Sequence, residues 1–270
     1  MRVDQYLVAF GYAESRQKAS LYIKNGSVII DHKRVLKPAE EINEKDDHKV
    51  EITLTEEYCY VSRGALKLKA AIEKFNIDVN RSVCVDIGAS TGGFTDYLLQ
   101  RGALKVYAFD SGKGQLHPKL AGDPRVISKE GFNARFITPE DVSEPADIVV
   151  MDVSFISQTL ILPSIISLIR DSGIFVSLVK PQFEAGKGAL GKNGIVKKAE
   201  DKLVAIERVA KSAIEVGLRP IGIITSPISG GDGNEEFLIY FRKENIEESI
   251  LPEFWREVKN AVKNQPKGGV

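Results

Sequence analysis

The sequence has few of the residues that cross-link small folds or bind metals. Its 270 residues include two cysteines, three histidines and one tryptophan. A disulfide framework needs more cysteines, and a metal site needs clustered ligands, whereas His32, His48 and His117 lie far apart. We therefore expect no disulfides, no bound metal and a reducing compartment, for which the cytoplasm is the default.

Long apolar runs and an excess of one charge are also missing. No apolar stretch approaches the roughly 18 residues that a membrane helix needs, and the N-terminal residues lack the apolar core of a signal peptide. Lysine plus arginine and aspartate plus glutamate both number 37, so the total charge does not indicate nucleic-acid binding. We expect neither secretion nor stable membrane association, and any nucleic-acid surface must be local. The oligomeric state stays open.

A glycine-rich stretch at residues 83–96 is the most informative part of the chain. The apolar run Val83–Ile87 is rich in β-branched residues, and closely spaced glycines and then apolar residues at helical spacing follow it. This order predicts a strand, a loop and a helix. Such a loop lets the backbone approach a ligand, and the helix start favours a negative group. The loop lacks the Gly-Lys-Ser/Thr ending of a Walker loop and the Gly-x-Gly-x-x-Gly spacing of dinucleotide sites.

An acid before the first glycine, here Asp86, is common in S-adenosylmethionine (SAM) sites, so we expect SAM as the cofactor. The alternatives are another nucleotide or an ordinary strand-to-helix turn. The predicted cofactor-binding residues in this stretch are Asp86, Gly88, Ala89, Ser90, Thr91, Gly92, Gly93 and Phe94.

Strand and helix patterns alternate beyond this loop, which predicts an α/β fold with a doubly wound sheet. Asp110 ends the next strand about 20 residues beyond the loop, where such sheets place an acid against ribose hydroxyls; a loop cap is its alternative role. Glu130 and Asn133 follow a further strand, at a position where related folds contact adenine. Asp152 ends a buried strand and faces the crevice in which ligands bind.

The C-terminal part of the chain distinguishes between versions of this sheet. Residues 226–234 are too few for a helical crossover between the strands on either side, so the last strand should run antiparallel to its neighbour. A Rossmann-like sheet of seven strands with the last one antiparallel is the SAM methyltransferase version. We also predict a helix at 160–169, an irregular basic loop at 185–194 that either closes over substrate or is plain surface, and a closing helix with a frayed tail.

The first 60 residues predict a small α+β domain with two helices and short strands. Spaced positions in it resemble the S4-type RNA-binding domain: Arg2, Asp4 and Leu7, then Ser15, Arg16 and Ala19, then Ile23, Gly26 and Val28. The resemblance implies a domain that grips structured RNA through its phosphates. The alternative is a solvated basic face. The residues expected to contact RNA are Arg2, Arg16, Lys18, Lys24, Lys33, Arg34 and Lys37.

Five motifs are spread over the rest of the chain: Ser62–Lys67, Val85–Phe94, Asp152–Ser157, Leu178–Glu184 and Gly233–Phe237. Together they resemble the TlyA family, whose members are often labelled haemolysins and whose catalytic half is similar to FtsJ-type ribose 2'-O-methyltransferases. The resemblance implies ribosomal RNA or ribosomal subunits as substrate, and a catalytic tetrad. The tetrad falls on Lys67, Asp152, Lys180 and Glu236, with Glu235 as an alternative position for the glutamate.

These observations predict a SAM-dependent ribose 2'-O-methyltransferase of rRNA in three segments: residues 1–60 for RNA binding and the linker, 61–245 for methyl transfer, and 246–270 as a C-terminal helix and tail. A ribose hydroxyl is a poor nucleophile, whereas a sulfonium is a good leaving group, so the enzyme must align and deprotonate the hydroxyl. A lysine base working near pH 7 needs its pKa lowered by roughly 3 units from about 10.4. The alternatives are an RNA-binding protein on a degenerate scaffold and a membrane-active, haemolysin-like protein without methyl transfer.

Overall fold

The structure is a computed structural model that describes residues 1–53, 58–244 and 251–263. The expected tail, residues 264–270, lies outside these ranges. The chain divides into two compact units, Met1–Cys59 and Tyr60–Val270. The first unit ends one residue before the boundary expected from the sequence, and the closing helix belongs to the second unit. In the described ranges no helix combines the length and the apolar character needed to cross a membrane.

In its described residues, the first unit packs two helices against a sheet of three strands. The elements are α1 Val3–Ala9, α2 Arg16–Lys24, β1 Val28–Ile30, β2 Lys33–Arg34 and β3 Val50–Ile52. β1 lies in the middle and is antiparallel to both of its neighbours. Leu7, Ile23 and Val28 are buried between the layers, on the inner faces of their elements. Ser15 caps α2, since its Oγ accepts from the Lys18 amide at 3.2 Å.

The second unit is a layered α/β structure in its described residues. Its strands are β4 Val83–Ile87, β5 Lys105–Asp110, β6 Val126–Glu130, β7 Ala146–Met151, β8 Ile169–Val179, β9 Leu218–Thr225 and β10 Phe237–Lys243. Its helices are α3 Gly64–Lys74, α4 Gly93–Gln100, α5 Pro118–Ala121, α6 Leu162–Ile165, α7 Pro181–Glu184, α8 Ala199–Glu215 and α9 Leu251–Lys263.

The strands of this larger sheet lie in the order β6-β5-β4-β7-β8-β10-β9. The described strands number seven, and β10 runs antiparallel to both β8 and β9, while the pairs from β6 to β8 are parallel. The predicted methyltransferase version of the sheet is therefore confirmed. After β4 the chain adds β5 and β6 on one side of β4, and it then crosses over to add β7 on the other side of β4. A crevice consequently opens between the carboxyl ends of β4 and β7.

Apolar side chains cover both faces of the larger sheet. Neighbouring residues of β7 show the alternation, because Val149 packs in the cluster that includes Ile206 and Phe254, and Ile148 packs in the cluster that includes Leu68 and Leu98. The first cluster joins the sheet to α8 and α9, and the second joins it to α3 and α4. With both faces covered, the strands can present polar groups to a ligand chiefly at their ends.

The helix predicted at 160–169 is wrong over most of its length. The helical part is α6, which has 4 residues, and Ile169 already pairs with Ala146 as the first residue of β8. Leu162, Ile165 and Ile169 are all buried. The buried residues of this segment do recur at helical spacing, with Leu160, Pro163 and Ser167 exposed between them. The pairing of β8 with β7 begins at Ile169, and this pairing determined the outcome.

Candidate active site

Two strand ends and one strand start bring charged residues to the same edge of the larger sheet. Asp152 follows β7, and Lys180 follows β8. Glu236 immediately precedes β10, whose antiparallel direction puts its start beside the end of β8, with Phe237 paired to Val179. The topology therefore makes Lys180 and Glu236 the neighbours of two paired residues, although they lie far apart in the sequence.

Four charged residues at this edge form two ion pairs. Lys67 on α3 places Nζ 2.5 Å from Oε2 of Glu236, and both residues are buried. Lys180 places Nζ 2.6 Å from Oδ1 of Asp152 and donates to Ser154 Oγ at 2.8 Å. These are the residues of the tetrad that the family resemblance implied. Each lysine has a carboxylate partner of its own.

The two neighbouring glutamates have different partners. Glu235 pairs with Lys202 of α8, with Oε2 and Nζ 2.6 Å apart, whereas Glu236 pairs with Lys67. Successive residues of an extended segment face opposite sides, which separates the two carboxylates. Of the two positions that the sequence left open, the geometry favours Glu236 for the site.

A pocket of about 510 Å³ opens beside Asp152. Its borders are the ends of β4 and β5, the segment from Phe132 to Ala134 beyond β6, and the segment from Asp152 to Ile156 beyond β7. Its volume is usual for sites that bind small molecules, and it lies at the crevice between β4 and β7.

The pocket separates the predicted cofactor-binding residues into two groups. Those that line it are Gly88, Ser90, Asp110, Asn133 and Asp152. Those that lie outside its lining are Asp86, Ala89, Thr91, Gly92, Gly93, Phe94 and Glu130. The stretch is therefore partly a wall of the pocket and partly the packing behind that wall.

The glycines of this stretch serve different contacts. Gly88 has a φ of +84°, and a Cβ there would lie 2.2 Å from the Asp152 carbonyl oxygen. A Cβ on Gly92 would lie 2.2 Å from Leu120, and one on Gly93 would lie 2.3 Å from Ser62. Only Gly88 of these three borders the pocket. The sequence predicted that all of them let the backbone approach a ligand, but Gly92 and Gly93 instead let α4 pack closely on its neighbours.

Asp110 is a loop cap, which is one of the two roles that the sequence left open, and its contact with a ribose stays a prediction. It lines the pocket, and its carboxylate also accepts from the Ser90 amide and the Gly112 amide, both at 2.7 Å. The side chain thus joins the glycine loop to the turn after β5. Asn133 also lines the pocket, and its Oδ1 accepts from the Arg135 amide at 3.1 Å.

Glu130 supports the pocket from outside. Its carboxylate accepts from the amides of Leu116 at 3.0 Å, Gly114 at 2.6 Å and Gln115 at 2.8 Å, and these bonds lower its pKa. Glu130 lies outside the lining of the pocket, and its contact with adenine stays a prediction. Glu130 holds the turn that brings Ser111 and Gln115 to the pocket. Sequence reasoning missed those two residues, although Ser111 directly follows Asp110 at a strand end and Gln115 lies four residues further on.

Asp86 lies buried beneath the glycine loop. Thr95 Oγ1 donates to its Oδ2 at 2.6 Å, while among the described residues Oδ1 has no hydrogen-bond partner. Burial raises the pKa of Asp86 to about 7. The pocket wall, which has the Asp110 carboxylate at the ribose position of the crevice and the backbone of Gly88 and Ser90 beside it, fits SAM, which carries a ribose.

Phe155 stands at the mouth of the pocket and was missed by sequence reasoning. It is 90% exposed, and it has a φ of +63°, a conformation that costs free energy for a bulky residue. Its ring lies 5.1 Å from the ring of Phe183, centroid to centroid. Its position in the Asp152–Ser157 motif was the available signal. The fold holds an aromatic ring in solvent beside Asp152 and Ser154.

The loop at 185–194 is hydrogen-bonded near its end to the segment that precedes Glu235 and Glu236. It contains two 3₁₀ turns, Lys187–Ala189 and Lys192–Gly194, so it is less irregular than predicted. Buried Asn234 accepts from the Val196 amide at 2.9 Å and donates to the Gly194 carbonyl at 3.1 Å. This ties the end of the loop to the segment that leads into Glu235 and Glu236.

The first unit groups some of the predicted RNA-contacting residues. Arg2 donates two hydrogen bonds to Asp4 at 3.0 Å, and Arg16 donates one at 3.1 Å. Burial opposes ionisation of Asp4, but these hydrogen bonds outweigh it and lower the Asp4 pKa. Arg16 and Lys24 also border a groove of about 420 Å³. Lys18 pairs with Glu14 at 2.5 Å, and Lys33, Arg34 and Lys37 are exposed on and after β2.

Across residues 1–53, 58–244 and 251–263, no group of three or more histidine, cysteine, aspartate or glutamate side chains could hold a metal ion.

Comparison with known proteins agrees with this geometry. Residues 60–243 match the FtsJ-like methyltransferase model, and residues 1–48 match the S4 domain. The chain is 43% identical to the 16S/23S rRNA (cytidine-2'-O)-methyltransferase TlyA of Mycobacterium tuberculosis, over 90% of each protein. The chain belongs to the TlyA family of FtsJ-like methyltransferases.

Further TlyA-like proteins show the same likeness. Hemolysin A of Brachyspira hyodysenteriae is 41% identical, over 89% of this chain and 99% of that protein. A solved structure from Streptococcus thermophilus, described as a hemolysin candidate, has a TM-score of 0.70 and 39% identity and covers 97% of both chains. The TlyA family thus includes proteins that are named for two different activities.

Proposed function

We propose that this protein is a SAM-dependent methyltransferase that methylates a ribose 2'-hydroxyl of rRNA. The observation that carries the proposal is the Lys180–Asp152 ion pair at the border of a pocket whose residues fit SAM. The buried pair between Lys67 of α3 and Glu236, which precedes β10, completes the set. A relative with 43% identity is named as an rRNA cytidine-2'-O-methyltransferase, which supports the same substrate class.

The pocket would hold SAM through groups that the structure places around it. Gly88 and Ser90 would approach it through the backbone, and Asp110 would accept from ribose hydroxyls. Asp86 would support the loop from beneath, through the hydrogen bond that it accepts from Thr95. When bound, SAM supplies a methyl group on a sulfonium, which is already a good leaving group. The protein has to align the hydroxyl and take its proton.

Lys180 is our proposed base. Its neutral amine would accept the proton of the 2'-hydroxyl, and Asp152, 2.6 Å away, would hold the ammonium that forms. Ser154 fixes the direction of the side chain through its hydrogen bond to Nζ. Lys67, held by Glu236, would place a positive charge beside the oxygen as negative charge develops on it.

Phe155 would receive the substrate base. An exposed ring at the mouth of the pocket offers a stacking surface to a nucleotide that has left its helix. This gives the reaction access to a sugar that is buried in folded RNA. We assign methyl transfer to residues 61–245 and RNA binding to residues 1–60.

The proposed base is tested by a matched pair of lysine variants. Lys180→Ala should lower kcat for rRNA methylation by about 10²–10⁴-fold, because a positioned base contributes that much. SAM affinity, measured by calorimetry, should stay unchanged. Lys105→Ala removes another lysine–glutamate pair, 2.7 Å long and remote from the pocket, and should keep full activity. Full activity of Lys180→Ala would show that this lysine is not the base.

RNA binding by the first unit has its own test. Arg16→Ala removes one basic group and leaves Asp4 paired with Arg2, so the fold should persist. We expect weaker rRNA binding and a salt dependence whose logarithmic slope falls by about 1, as for one lost phosphate contact. An unchanged slope would place Arg16 outside the RNA interface.

We also propose that the reaction needs no metal ion and takes place in the cytoplasm. The support for the first point is chemical, because a sulfonium needs no Lewis acid to leave. The support for the second is that the chain has only two cysteines, Cys59 and Cys84, and that these do not form a disulfide. Methylation should continue at the same rate in excess EDTA, and cell fractionation should recover the protein with ribosomes. A rate restored only by an added divalent ion would contradict the first point.

A further inference from the structure

A buried carboxylate lies four residues beyond the proposed base and has no role in the reaction so far. Glu184 ends α7 and is buried. Its Oε2 accepts from Ser157 Oγ at 2.6 Å, and its Oε1 accepts from the Gln158 amide at 2.8 Å. Arg208 of α8 donates to the Glu184 carbonyl at 3.1 Å and so holds the backbone of the same residue. Glu184 therefore joins α7 to the segment that follows β7.

The side chain of Gln158 makes a second connection, from the segment that follows β7 to the end of β8. It is buried, its Nε2 donates to the Leu178 carbonyl at 2.6 Å, and its Oε1 accepts from Ser177 Oγ. Hydrogen bonds from Glu184 and Gln158 thus join segment 152–158 to segment 177–184 at four points. We call this set of bonds the strand-end clamp.

The two clamped segments each carry one half of an ion pair of the site. Asp152 and Ser154 lie on the first, Lys180 lies on the second, and the contacts between them measure 2.6 and 2.8 Å. Residues 152–157 form no regular helix or strand, and Phe155 within them has a φ of +63°. A strained, irregular segment keeps one geometry only where its surroundings fix it, and the clamp supplies that restraint.

Packing alone does not account for an acid at position 184. Burial raises the pKa of Glu184, while the hydrogen bonds from Ser157 and Gln158 act against that rise. An apolar residue of similar size would avoid the cost of burying a carboxylate, so the acid gives the fold little net stability. Its two oxygens do suit the task of accepting two hydrogen bonds from consecutive residues.

We propose that Glu184 and Gln158 are positioning residues that set the spacing between Asp152 and Lys180. The inference rests on the proposed function, because it assigns a purpose to the same ion pair. The residues act through that pair and do not touch the reacting atoms. Loss of the clamp should therefore change the rate and its pH dependence, even where the fold survives.

The test compares two substitutions at one position in the full-length protein. Glu184→Gln keeps both bonds, since its oxygen accepts from the Gln158 amide and its amide donates to the Ser157 hydroxyl, so kcat should stay close to that of the unchanged protein. Glu184→Ala loses both bonds, and kcat should fall by about 10- to 100-fold, the cost of a small misplacement at a reacting centre. The pH profile of kcat should also shift for Glu184→Ala and not for Glu184→Gln.

A second variant covers the case in which Glu184→Ala does not fold. Ser157→Ala removes one of the two bonds and should lower kcat by a smaller factor with the same direction of pH shift. Ser167→Ala is its control, because in the described part of the chain the Ser167 hydroxyl bonds within its own turn, to the Ser164 carbonyl at 2.8 Å. Thermal unfolding of each variant shows whether it is folded at the assay temperature.

A double variant separates positioning from general stability. In an Asp152→Asn background, Glu184→Ala should cost little further rate, because the pair on which it acts is already broken. Full additivity of the two losses, or an unchanged pH profile in folded Glu184→Ala, would overturn the proposal. Failure of the unchanged protein to methylate ribose would instead refute the proposed function, which keeps the two failures apart.

Discussion

The two edges of the larger sheet both carry ion pairs, but they bury them differently. At the carboxyl edge the Lys67 and Glu236 side chains are 10% and 2% exposed. At the opposite edge, where β5 and β7 begin, the Lys105 and Glu144 side chains are 33% and 46% exposed. Both pairs are short, with nitrogen–oxygen distances of 2.5 and 2.7 Å. Distance alone therefore does not distinguish a functional pair from a surface pair.

Burial does make the distinction, because the free energies differ. An exposed pair contributes about 0–1 kcal/mol, and its loss is barely felt. A buried pair pays for desolvation on both partners, and an apolar pair of the same size is often equally stable or more so. Buried charges at one edge of the sheet therefore need a reason other than stability, and the proposed reaction would supply one.

The largest effect is expected when one partner of the buried Lys67–Glu236 pair is removed. Lys67→Ala leaves Glu236 buried without its partner and should lower the free energy of unfolding by about 3–5 kcal/mol. Lys105→Ala, at the other edge, should lower it by at most about 1 kcal/mol. Urea unfolding of both variants measures the contrast.

The double variant Lys67→Met/Glu236→Leu sharpens the same contrast. It replaces the buried charges by apolar side chains and should recover most of the lost stability while methylation stays absent. An active double variant would remove this pair from the mechanism, and an equally unstable one would make it a structural element.

The next prediction concerns the pH dependence of stability, whose direction follows from the raised pKa of Asp86. The pKa of this carboxyl is 3.8 in its ordinary state and about 7 in the fold. Between these two pH values Asp86 keeps its proton in the folded state and has lost it in the unfolded state. The free energy of unfolding should therefore fall as the pH rises through this range, by up to about 4 kcal/mol. Asp86→Asn should abolish that fall, and it should gain stability relative to the unchanged protein between pH 5 and 8.

Asp123, just before β6 at the opposite edge, provides the control. Its pKa is lowered mainly by the hydrogen bond from Arg125, so its contribution to stability is lost only as pH falls through the lowered value. Asp123→Asn should differ from the unchanged protein by a constant amount between pH 5 and 8. A parallel pH dependence of the two aspartate variants would contradict the assignment to Asp86.

A smaller effect is expected at the turn that borders the pocket. Glu130→Ala releases three backbone amides and should weaken SAM binding by about tenfold, or about 1.4 kcal/mol, because the turn must then be ordered on binding. Calorimetry measures the change, with Glu144→Ala as the control from the opposite edge. Equal SAM affinity in the two variants would show that Glu130 does not shape the pocket.

The smallest effect is predicted for Arg170 at the start of β8. Its guanidinium pairs with Asp147 but is 60% exposed, so Arg170→Ala should change the free energy of unfolding by less than about 1 kcal/mol. Methylation should be unaffected. A loss of activity in Arg170→Ala would contradict the claim that the two edges of the sheet differ in function.

Sequence patterns predicted most of the strands and the direction of β10. Five residues or more of apolar, β-branched character identify a buried strand, and the short segment at 226–234 left no room for a crossover. The helix predicted at 160–169 was wrong over most of its length, although the buried residues of this segment recur at helical spacing. Pairing with β7, which is a tertiary fact, decided the conformation there.

The site was predictable only in part for a related reason. The family resemblance placed four charged residues, but no local pattern could pair Lys67 with Glu236, which lies 169 positions away. The different roles of Gly88, Gly92 and Gly93 depend on what each one packs against. These neighbours are Asp152, Leu120 and Ser62, which come from distant parts of the sequence. The roles of Glu130 and Glu184 likewise arise from amides and hydroxyls that only the fold assembles.

The most direct measurement is the chemical position of the transferred methyl group. Ribosomal RNA lacking the modification would be incubated with the protein and SAM labelled in its methyl group, digested to nucleosides and analysed by mass spectrometry. The account predicts the label on ribose, as a 2'-O-methyl nucleoside, and its disappearance with Lys180→Ala. Label on a base, or a 2'-O-methyl nucleoside formed undiminished by Lys180→Ala, would contradict it.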